Sequence, residues 1–571
     1  MPNNNNDLKD YKVPYKFKGF EYVFNNLSMT IKMYKTIISF ILLACFIINT
    51  LFFLLFHFHN VIAFFNYAFD VNVFANDFFA PFVAFFEFIK FYFVKTFFLY
   101  ILELPFVLFF YPRILKYFKE KSENIVNDKF LRGTQILDEK KYVALLDKET
   151  AAEKQPLAFG DIKIPYKVEN RHFLLIGRPG TGKTQSLNQV IEKLRARGEK
   201  AIIYDVKGDY LSYFYDSKTD YIFNPLDERS CGWNLFNEIE TAADVDSIAT
   251  SLIPPANDNG KFWVDAARDV FSAILHYLIK TQQTTMSALF NHVSYSEAQL
   301  LELMESAVEN DNLEIAKRAL AYLQGFSQGS KVSSDVLSTM RQYTNSFYYI
   351  KHLENNFSIK KWLDKDESSF LFVTNYSNIK DTLKPILSLL IDIAMKHILS
   401  MSENIDRRRF IFLDEFASLQ YLTSIVNALE QSRSKGGSIW LATQDISQIQ
   451  KLYGKETADT ITNNANTILS FAVVDPNTQK FLSEVFGEKE YVESSESVIM
   501  KPDTGFGGIN LNRREKKEQL VLPSQFGILE DFNFYLKMLS YPVCKSKISF
   551  KKFDKNNESF VLNPIFNIKN N

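Results

Sequence analysis

The longest uninterrupted stretch of apolar residues predicts a membrane-spanning helix near the start of the chain. Residues 36–56 are 21 positions in succession without a charge, and about 20 apolar residues are enough for a helix to cross a bilayer. Residues 91–111 are equally apolar but include Lys95, Glu103 and Pro105. We predict a second span here, with a re-entrant or interfacial segment as the alternative. Lys95 lies near one end, within reach of the interface, whereas Glu103 lies mid-span and is expected to face a partner helix.

The distribution of lysine and arginine around these two segments predicts their orientation. Six lysines precede the first segment, and four basic residues between positions 113 and 121 follow the second. In the intervening loop, residues 57–90, the only lysine or arginine is Lys90. Because positive charge accumulates on the cytoplasmic side, we expect both termini in the cytoplasm and a short external loop. The first segment is a poor cleavable signal peptide, since its leading region and its apolar core are both too long.

Beyond residue 112, short apolar runs alternate with helical stretches, which is the pattern of an α/β fold. Residues 172–176 (HFLLI) predict a buried strand, and residues 185–197 predict a helix with one apolar face. A second apolar run at 201–205 follows at the spacing of a strand–helix–strand unit, in which the two strands are parallel. A further strand candidate lies at 467–474. The body is therefore predicted to contain a multi-stranded, mainly parallel sheet.

The loop between the first of these strands and its helix matches the phosphate-binding pattern G-x-x-x-x-G-K-[ST]. Glycines let backbone amides wrap phosphate groups, and the helix N-terminus favours a bound anion. We predict that Lys183 binds the β- and γ-phosphates of ATP and that the Thr184 hydroxyl binds Mg²⁺. A glycine-rich turn of purely structural role is the alternative. The predicted nucleotide-binding residues are Gly177, Arg178, Pro179, Gly180, Thr181, Gly182, Lys183 and Thr184.

Three other predicted strands end in polar residues suited to hydrolysis. Asp414 and Glu415 follow an apolar strand, and we expect Asp414 to hold Mg²⁺ and Glu415 to act as general base on the attacking water. Gln444 follows the strand at 438–443, where it either contacts the γ-phosphate or caps the next helix. Asp205 ends the strand at 201–205, on the edge where ligands bind in parallel sheets. Its carboxylate either contacts metal or water, or caps the following helix.

Residues 240–350 show helical periodicity and no strand signal, so we interpret them as an all-α insertion. Its aromatic stretches are interpreted as core rather than as base-stacking platforms. The predicted division of the chain is a cytoplasmic segment at 1–35, a membrane anchor at 36–111, a discontinuous nucleotide-binding domain at 112–239 and 351–555, the all-α insertion at 240–350, and a flexible tail at 556–571.

Composition narrows the classes of function. The formal net charge of −1, from 65 Lys+Arg and 66 Asp+Glu, excludes a generally basic nucleic-acid coat protein. Any DNA contact must then be a local patch or a lined channel. The 3 cysteines are scattered and form neither a disulfide framework nor a CxxC metal site, which fits a reducing compartment. Of the 55 phenylalanines, 23 lie between positions 36 and 111, so the aromatic excess is concentrated in the predicted anchor.

The order of these motifs resembles the type IV secretion coupling proteins of bacterial conjugation, the TraD/TraG kind. The resemblance covers most of residues 30–550. Beside the spans and the phosphate loop, it rests on YDVKGDY at 204–210, FNPLDERSCGWNLFNEI at 223–239, FSIKKWL at 357–363, FLDEFASL at 412–419 and ATQDISQIQKLYG at 442–454.

The resemblance implies a RecA-like ATPase of the bacterial inner membrane, multi-pass, with most of the chain in the cytoplasm. It also implies a homo-hexamer around a channel for DNA, single-stranded in the simplest case. The family places two arginines that act on a neighbouring subunit, and these positions match Arg171 and Arg433. Arginines there would stabilise transition-state charge on the neighbour's γ-phosphate.

The function implied is an ATP-driven pump or gate that connects relaxase-bound DNA to inner-membrane components of the secretion channel. One alternative is a receptor or scaffold that recruits protein substrates, with ATP as a conformational switch. A second alternative is a DNA translocase of the FtsK kind, which normally carries more spans and a sequence-reading tail. The candidate channel residues, for which solvated surface is the simpler interpretation, are Lys207 in the loop 206–218 and Arg513, Arg514, Lys516 and Lys517 in the loop 501–517.

Overall fold

The computed structural model describes residues 18–126, 129–256, 260–310, 312–324, 331–353, 357–499 and 508–567. The chain divides into two compact units. The first consists of Met1–Lys129 and Glu493–Arg514, and the second of Phe130–Val492 and Glu515–Asn571.

The first unit is built on two long helices. They are α1 (Lys18–Ala68) and α3 (Ala80–Val126), with the short helix α2 (Val71–Asn76) between them. Both long helices contain segments apolar and long enough to cross a membrane, as judged by length and composition. Helix α3 continues without a break through residues 91–111.

Helices α1 and α3 pack through aromatic rings and a polar pair. The Phe53 ring, 3% exposed, lies 5.7 Å from the Phe91 ring and 5.0 Å from the Tyr92 ring. The buried Asn49 side chain donates a hydrogen bond to the Glu103 carboxylate at 3.1 Å. Glu103 therefore faces the neighbouring helix, as the sequence predicts for a carboxylate placed mid-span, where an unpaired polar group is costly.

Most strands are short, and those at the centre of the second unit's main sheet are fully buried. In chain order they are β1 (Lys129–Gly133), β2 (Ile136–Leu137), β3 (Ala158–Phe159), β4 (Ile162–Lys163), β5 (Phe173–Ile176), β6 (Lys200–Asp205), β7 (Tyr221–Phe223), β8 (Ser369–Thr374), β9 (Arg409–Leu413), β10 (Gly437–Thr443), β11 (Thr467–Ser470), β12 (Glu488–Ile499), β13 (Gly508–Gln519), β14 (Asn533–Met538) and β15 (Val543–Lys547).

The main sheet of the second unit has ten strands in the described chain, in the order β2-β15-β14-β11-β5-β10-β9-β6-β8-β7. Seven adjacent strands of this order are parallel to one another, namely β11, β5, β10, β9, β6, β8 and β7. The α/β fold with a mainly parallel sheet is thereby confirmed. Strand β14 runs antiparallel to both β11 and β15, so the sheet is mixed at one side, which strand patterns alone do not reveal.

Alternate residues of the central strands face two separate cores. In β5, Phe173 and Leu175 belong to one cluster, and Leu174 and Ile176 belong to the other. All four side chains are 0% exposed. A strand covered on both faces is apolar throughout, which explains why the run at 172–176 shows no alternation.

Helices cover both faces of the sheet and form the insertion. They are α4 (Glu139–Glu149), α5 (Tyr166–Glu169), α6 (Lys183–Arg197), α7 (Asp209–Phe214), α8 (Ala242–Leu252), α9 (Lys261–Lys280), α10 (Met286–Val293), α11 (Glu297–Glu309), α12 (Glu314–Gln324), α13 (Lys331–Thr344), α14 (Phe347–Ile350), α15 (Ile359–Asp364), α16 (Lys380–Ser400), α17 (Ile425–Gln431), α18 (Ile446–Tyr453), α19 (Lys455–Asn464), α20 (Pro476–Phe486) and α21 (Pro523–Gly527).

The segment from β7 to β8 carries helices α8 to α15 and, within its described residues, no named strand. Its longest helix, α9, is amphipathic and packs along α8, α12 and α13. Of the aromatic residues in this segment, Phe347 is fully buried, whereas Phe262 and Tyr348 are 47% and 44% exposed. The buried residues of the insertion belong to the same hydrophobic cluster as one face of the sheet, and two aromatic rings of the insertion lie at its surface.

Residues 556–567, which fall within the predicted flexible tail, form hydrogen bonds to other parts of the second unit; we call them the C-terminal strap. The backbone amide of Asn556 donates to the Ser212 carbonyl at 3.0 Å, and that of Asn563 donates to the Leu226 carbonyl at 2.8 Å. Backbone amides therefore attach this polar segment to the rest of the unit.

Candidate nucleotide-binding site

The predicted phosphate loop, residues 177–182, lies between the carboxyl end of β5 and the first residue of α6. Gly180 and Gly182 have φ angles of +83° and +120°, a region that residues with a Cβ rarely adopt. A Cβ on Gly182 would lie 3.2 Å from the Phe471 ring, whereas a Cβ on Gly180 would meet no atom within 4 Å. The loop is therefore a tight turn with open space over Gly180, as a bound phosphate requires.

Lys183 begins α6 and is 8% exposed. Its amine donates hydrogen bonds to the Gly177 carbonyl and, at 3.3 Å, to the Arg178 carbonyl. Burial lowers the pKa of Lys183, and the charges of Asp414 and Glu415 act in the opposite direction. The amine is thus held over the loop, in reach of the phosphates that the loop would bind.

Asp414 and Glu415 follow β9, which is separated from β5 by β10 alone. Asp414 accepts a hydrogen bond from the Tyr210 hydroxyl at 2.9 Å, and burial raises the pKa of Asp414. Glu415 has a φ of +57°. For a residue with a Cβ this left-handed conformation costs on the order of 1 kcal/mol, and such strain concentrates at functional sites.

The predicted phosphate and carboxylate residues meet at one cavity of about 220 Å³. Of the eight predicted loop residues, Gly177, Arg178 and Thr181 support the loop from outside the cavity lining. The cavity is lined by Pro179, Gly180, Gly182, Lys183, Thr184, Gln185, Asp205, Val206, Lys207, Asp209, Tyr210, Asp414, Glu415, Thr443, Gln444 and Phe532.

These residues fit a nucleotide with Mg²⁺. A hydroxyl on Thr184, a carboxylate on Asp414 and an ammonium on Lys183 all line the same space. In the described parts of the chain, no cluster of three or more His, Cys, Asp or Glu side chains could hold a metal by itself. Mg²⁺ in nucleotide sites characteristically takes one or two protein ligands and completes its shell with phosphate oxygens and water.

Asp205 caps helix α7. One carboxylate oxygen accepts from the backbone amides of Gly208 and Asp209 at 2.9 and 3.2 Å, and the other accepts from that of Leu211 at 3.0 Å. Burial raises the pKa of Asp205 to about 7 despite these bonds. Of the two roles that the sequence left open, the geometry favours the cap, because both oxygens already accept backbone bonds.

Gln444 lies at the carboxyl end of β10 and lines the cavity. The helix that follows, α18, is capped by Asp445, whose carboxylate accepts from the Gln448 amide at 2.9 Å. The alternative that Gln444 is the helix cap is therefore wrong, and its side chain lies where it can contact a terminal phosphate.

Arg171 and Arg433 lie at the opposite edge of the sheet from the cavity. Arg171 comes two residues before β5, and Arg433 lies in the turn before β10. Strand β5 has 4 residues and spans about 13 Å, so Arg171 is remote from the loop at the other end. The two segments lie close together, since the Asn170 side chain donates a hydrogen bond to the Arg433 carbonyl at 3.2 Å. Partial burial and the charge of Arg433 lower the pKa of Arg171. The structure does not bring either arginine to this chain's own phosphate loop.

The predicted basic channel residues are differently placed. Lys207 lines the nucleotide cavity rather than a separate surface. Residues 501–507 lie outside the described part of the chain, and the remainder of that predicted loop belongs to strand β13. There, the Lys517 ammonium pairs with the Glu488 carboxylate, while Arg513 and Arg514 are exposed.

Sequence reasoning missed Tyr210 and Phe532 as components of the cavity. Tyr210 lies within the YDVKGDY segment, yet only the fold brings its hydroxyl to Asp414, 204 positions away. Phe532 has a φ of +65°, and its amide donates to the Thr181 carbonyl at 2.8 Å. The segment before β14 therefore closes one side of the phosphate loop.

A comparison with protein families matches residues 156–549 to the type IV secretion-system coupling protein DNA-binding domain. The chain is also similar to the coupling protein TraD of Escherichia coli K12, with 27% identity over 451 residues, which cover 78% of this chain and 61% of TraD. A conjugal transfer protein TraG of Escherichia coli is 22% identical over 397 residues, which cover 62% of this chain and 61% of that protein. The chain thus spans about three fifths of these relatives' length.

Among solved structures, the chain is similar to the bacterial conjugative coupling protein TrwB. The unbound monoclinic form of TrwBdeltaN70 matches with a TM-score of 0.65 and 27% identity, and covers 76% of this chain and 97% of that one. TrwB in complex with ADP and Mg²⁺ matches with a TM-score of 0.64 and 26% identity, and covers 76% and 98%. The RecA-like P-loop architecture is shared with these proteins.

Proposed function

The chain belongs to the family of type IV secretion-system coupling proteins, and from this premise we propose that it is a membrane-anchored, ring-forming ATPase. It would couple relaxase-bound DNA to a type IV secretion channel and drive or gate DNA transfer during conjugation. The observation that carries the proposal is the cavity at which the phosphate loop, Asp414, Glu415 and Gln444 converge.

In this proposal, each of the following side chains of that cavity has a role in ATP hydrolysis. Lys183 binds the β- and γ-phosphates, and Glu415 draws a proton from the attacking water. Gln444 contacts the γ-phosphate and so distinguishes ATP from ADP. Thr184 and Asp414 would hold Mg²⁺, which neutralises charge on the phosphates when bound. The complex of TrwB with ADP and Mg²⁺ supports this choice of cofactor.

The two arginines at the far edge of the sheet support a ring. Because Arg171 and Arg433 lie away from their own cavity, they act by reaching the γ-phosphate bound to an adjacent subunit, in the manner of arginine fingers. A closed ring of identical subunits supplies this contact at every site. We propose a homo-hexamer with single-stranded DNA in its central channel, gripped mainly through phosphates and therefore without sequence preference.

The two long apolar helices of the first unit support a multi-pass anchor in the bacterial inner membrane. With positive charge on both flanks, the termini and the second unit would lie in the cytoplasm. The relaxase–DNA complex would approach from that side, and the inner-membrane components of the secretion channel would meet the anchor.

Turnover of ATP by the full-length protein in lipid nanodiscs tests this proposal. We expect Mg²⁺-dependent hydrolysis that rises severalfold on addition of single-stranded DNA and falls again at high salt, since phosphate contacts are screened. Hydrolysis that ignores DNA but responds to a relaxase would instead favour the receptor and scaffold function. Absence of nucleotide binding would refute both.

A further inference from the structure

Tyr210 contacts Asp414, to which the proposed function gives a role in holding Mg²⁺. It is the second residue of α7 and is 1% exposed. Its hydroxyl donates to one carboxylate oxygen of Asp414 at 2.9 Å. A buried hydroxyl requires a partner, and here that partner is a residue of the nucleotide cavity.

Helix α7 is held firmly enough to position this hydroxyl. Its N-terminus is fixed by the three backbone bonds to Asp205. Its C-terminal half is fixed by the C-terminal strap, since the backbone amides of Asn556 and Asn557 both donate to the Ser212 carbonyl, at 3.0 and 3.1 Å. A helix held at both ends leaves the phenol little freedom to move away from Asp414.

We propose that Tyr210 is a positioning residue for the Mg²⁺–nucleotide complex, which fixes the Asp414 carboxylate through a hydrogen bond to one oxygen and leaves the other for the metal's hydration shell. This inference rests on the proposed ATPase function. Groups that orient metal-holding side chains typically contribute 10–100-fold in metal affinity or activity. The effect belongs to the metal-dependent part of nucleotide binding, because the Tyr210 hydroxyl is bonded to Asp414 rather than to the phosphate loop's amides.

The test compares Tyr210→Phe with Tyr213→Phe in the full-length protein. Tyr213 lies on the same helix, but its ring packs against Phe553, 5.7 Å away between centroids, outside the cavity lining. Binding of a fluorescent ATP analogue is measured across a Mg²⁺ titration and in EDTA. For Tyr210→Phe we expect the Mg²⁺ concentration at half-maximal binding to rise about tenfold or more, with EDTA binding unchanged. Tyr213→Phe should match wild type in both.

A double-mutant cycle with Asp414→Asn separates positioning from general damage to the fold. If Tyr210 acts through Asp414, then Tyr210→Phe has little further effect in the Asp414→Asn background, because residues that act through one contact are not additive. Additive losses, an unchanged Mg²⁺ requirement, or equal weakening in EDTA would each overturn the inference. If wild type itself shows no Mg²⁺-dependent nucleotide binding, the proposed function fails and this inference fails with it.

Discussion

Replacement of Glu238 tests how the insertion is joined to the ATPase core. Its carboxylate is 0% exposed and links two segments of the chain. One oxygen accepts from the Trp233 indole at 3.0 Å and from the Ile359 amide at 2.7 Å. The other accepts from the Ser358 hydroxyl and the Lys360 amide, both at 3.2 Å. Glu238 thus binds the segment before the insertion to the N-terminus of α15 after it.

The cost of Glu238→Gln follows from these four bonds. The new NH₂ group must replace the oxygen that faces Ser358 and Lys360, because the Ser358 hydroxyl can accept a hydrogen bond instead of donating one. The partners of the other oxygen, the Trp233 indole and the Ile359 amide, can only donate. The Lys360 amide then loses its acceptor, at about 1–3 kcal/mol, and the remaining bonds lose their charge assistance. Relief from burying a charge offsets part of this. We expect a net loss of about 2 kcal/mol in the free energy of local opening. This raises the population of the open state, and with it the hydrogen-exchange rate, roughly 30-fold.

Hydrogen exchange of the peptide that contains residues 357–364 measures this local opening directly, which suits a chain of several cooperative units. The matched control is Glu240→Gln, an exposed glutamate two positions away, which should leave the exchange rate within about twofold of wild type. If residues 357–364 exchange at the same rate in both variants, Glu238 does not stabilise the junction between the insertion and the core, and the reasoning is refuted.

Two further predictions concern the ring and acid stability. Arg433→Ala should retain ATP binding but lose about 10³-fold in turnover. Rings that mix Arg433→Ala subunits with Lys183→Ala subunits should regain activity, because the Lys183→Ala subunits supply an intact Arg433 to the intact cavities of their neighbours. Failure of mixed rings to recover would contradict action between subunits. Although burial opposes it, hydrogen bonds from Lys360 and the Thr241 backbone and hydroxyl lower the pKa of Asp244 from 3.8 to about 2. This stabilisation is present above pH 3.8 and lost as pH falls through 2, so in acid-unfolding titrations Asp244→Asn should cost about 1 kcal/mol at neutral pH and progressively less below pH 4.

The sequence was sufficient for the phosphate loop and the carboxylate pair because their signals are local. Phosphate binding is indicated by a buried strand followed at fixed spacing by a glycine turn and a lysine, wherever this unit lies in the sheet. Asp414 and Glu415 were recognisable because parallel strands end at a common edge. The two long apolar helices were equally accessible, since length and low charge are read directly from the chain.

The contacts that sequence reasoning missed are long-range or made by the backbone. Tyr210 meets Asp414 only because β6 and β9 are adjacent, and strand order is not written in any local pattern. Lys207 is a candidate for a DNA channel from sequence because a basic loop has the same appearance beside a nucleotide as beside DNA. The C-terminal strap is polar in composition, and its amides pair with carbonyls elsewhere in the second unit.

The central claim is that ATP hydrolysis at this cavity powers DNA transfer. The most direct measurement is conjugation frequency from donor cells that carry Glu415→Gln in place of the native protein, beside cells with Glu430→Gln, an exposed glutamate on α17. We predict that Glu415→Gln retains ATP binding and membrane insertion but lowers transfer at least 10²-fold, as loss of a general base does to hydrolysis. Glu430→Gln should transfer normally. Transfer at the wild-type frequency by a Glu415→Gln protein shown to be hydrolysis-deficient would contradict the motor function and leave the receptor function in its place.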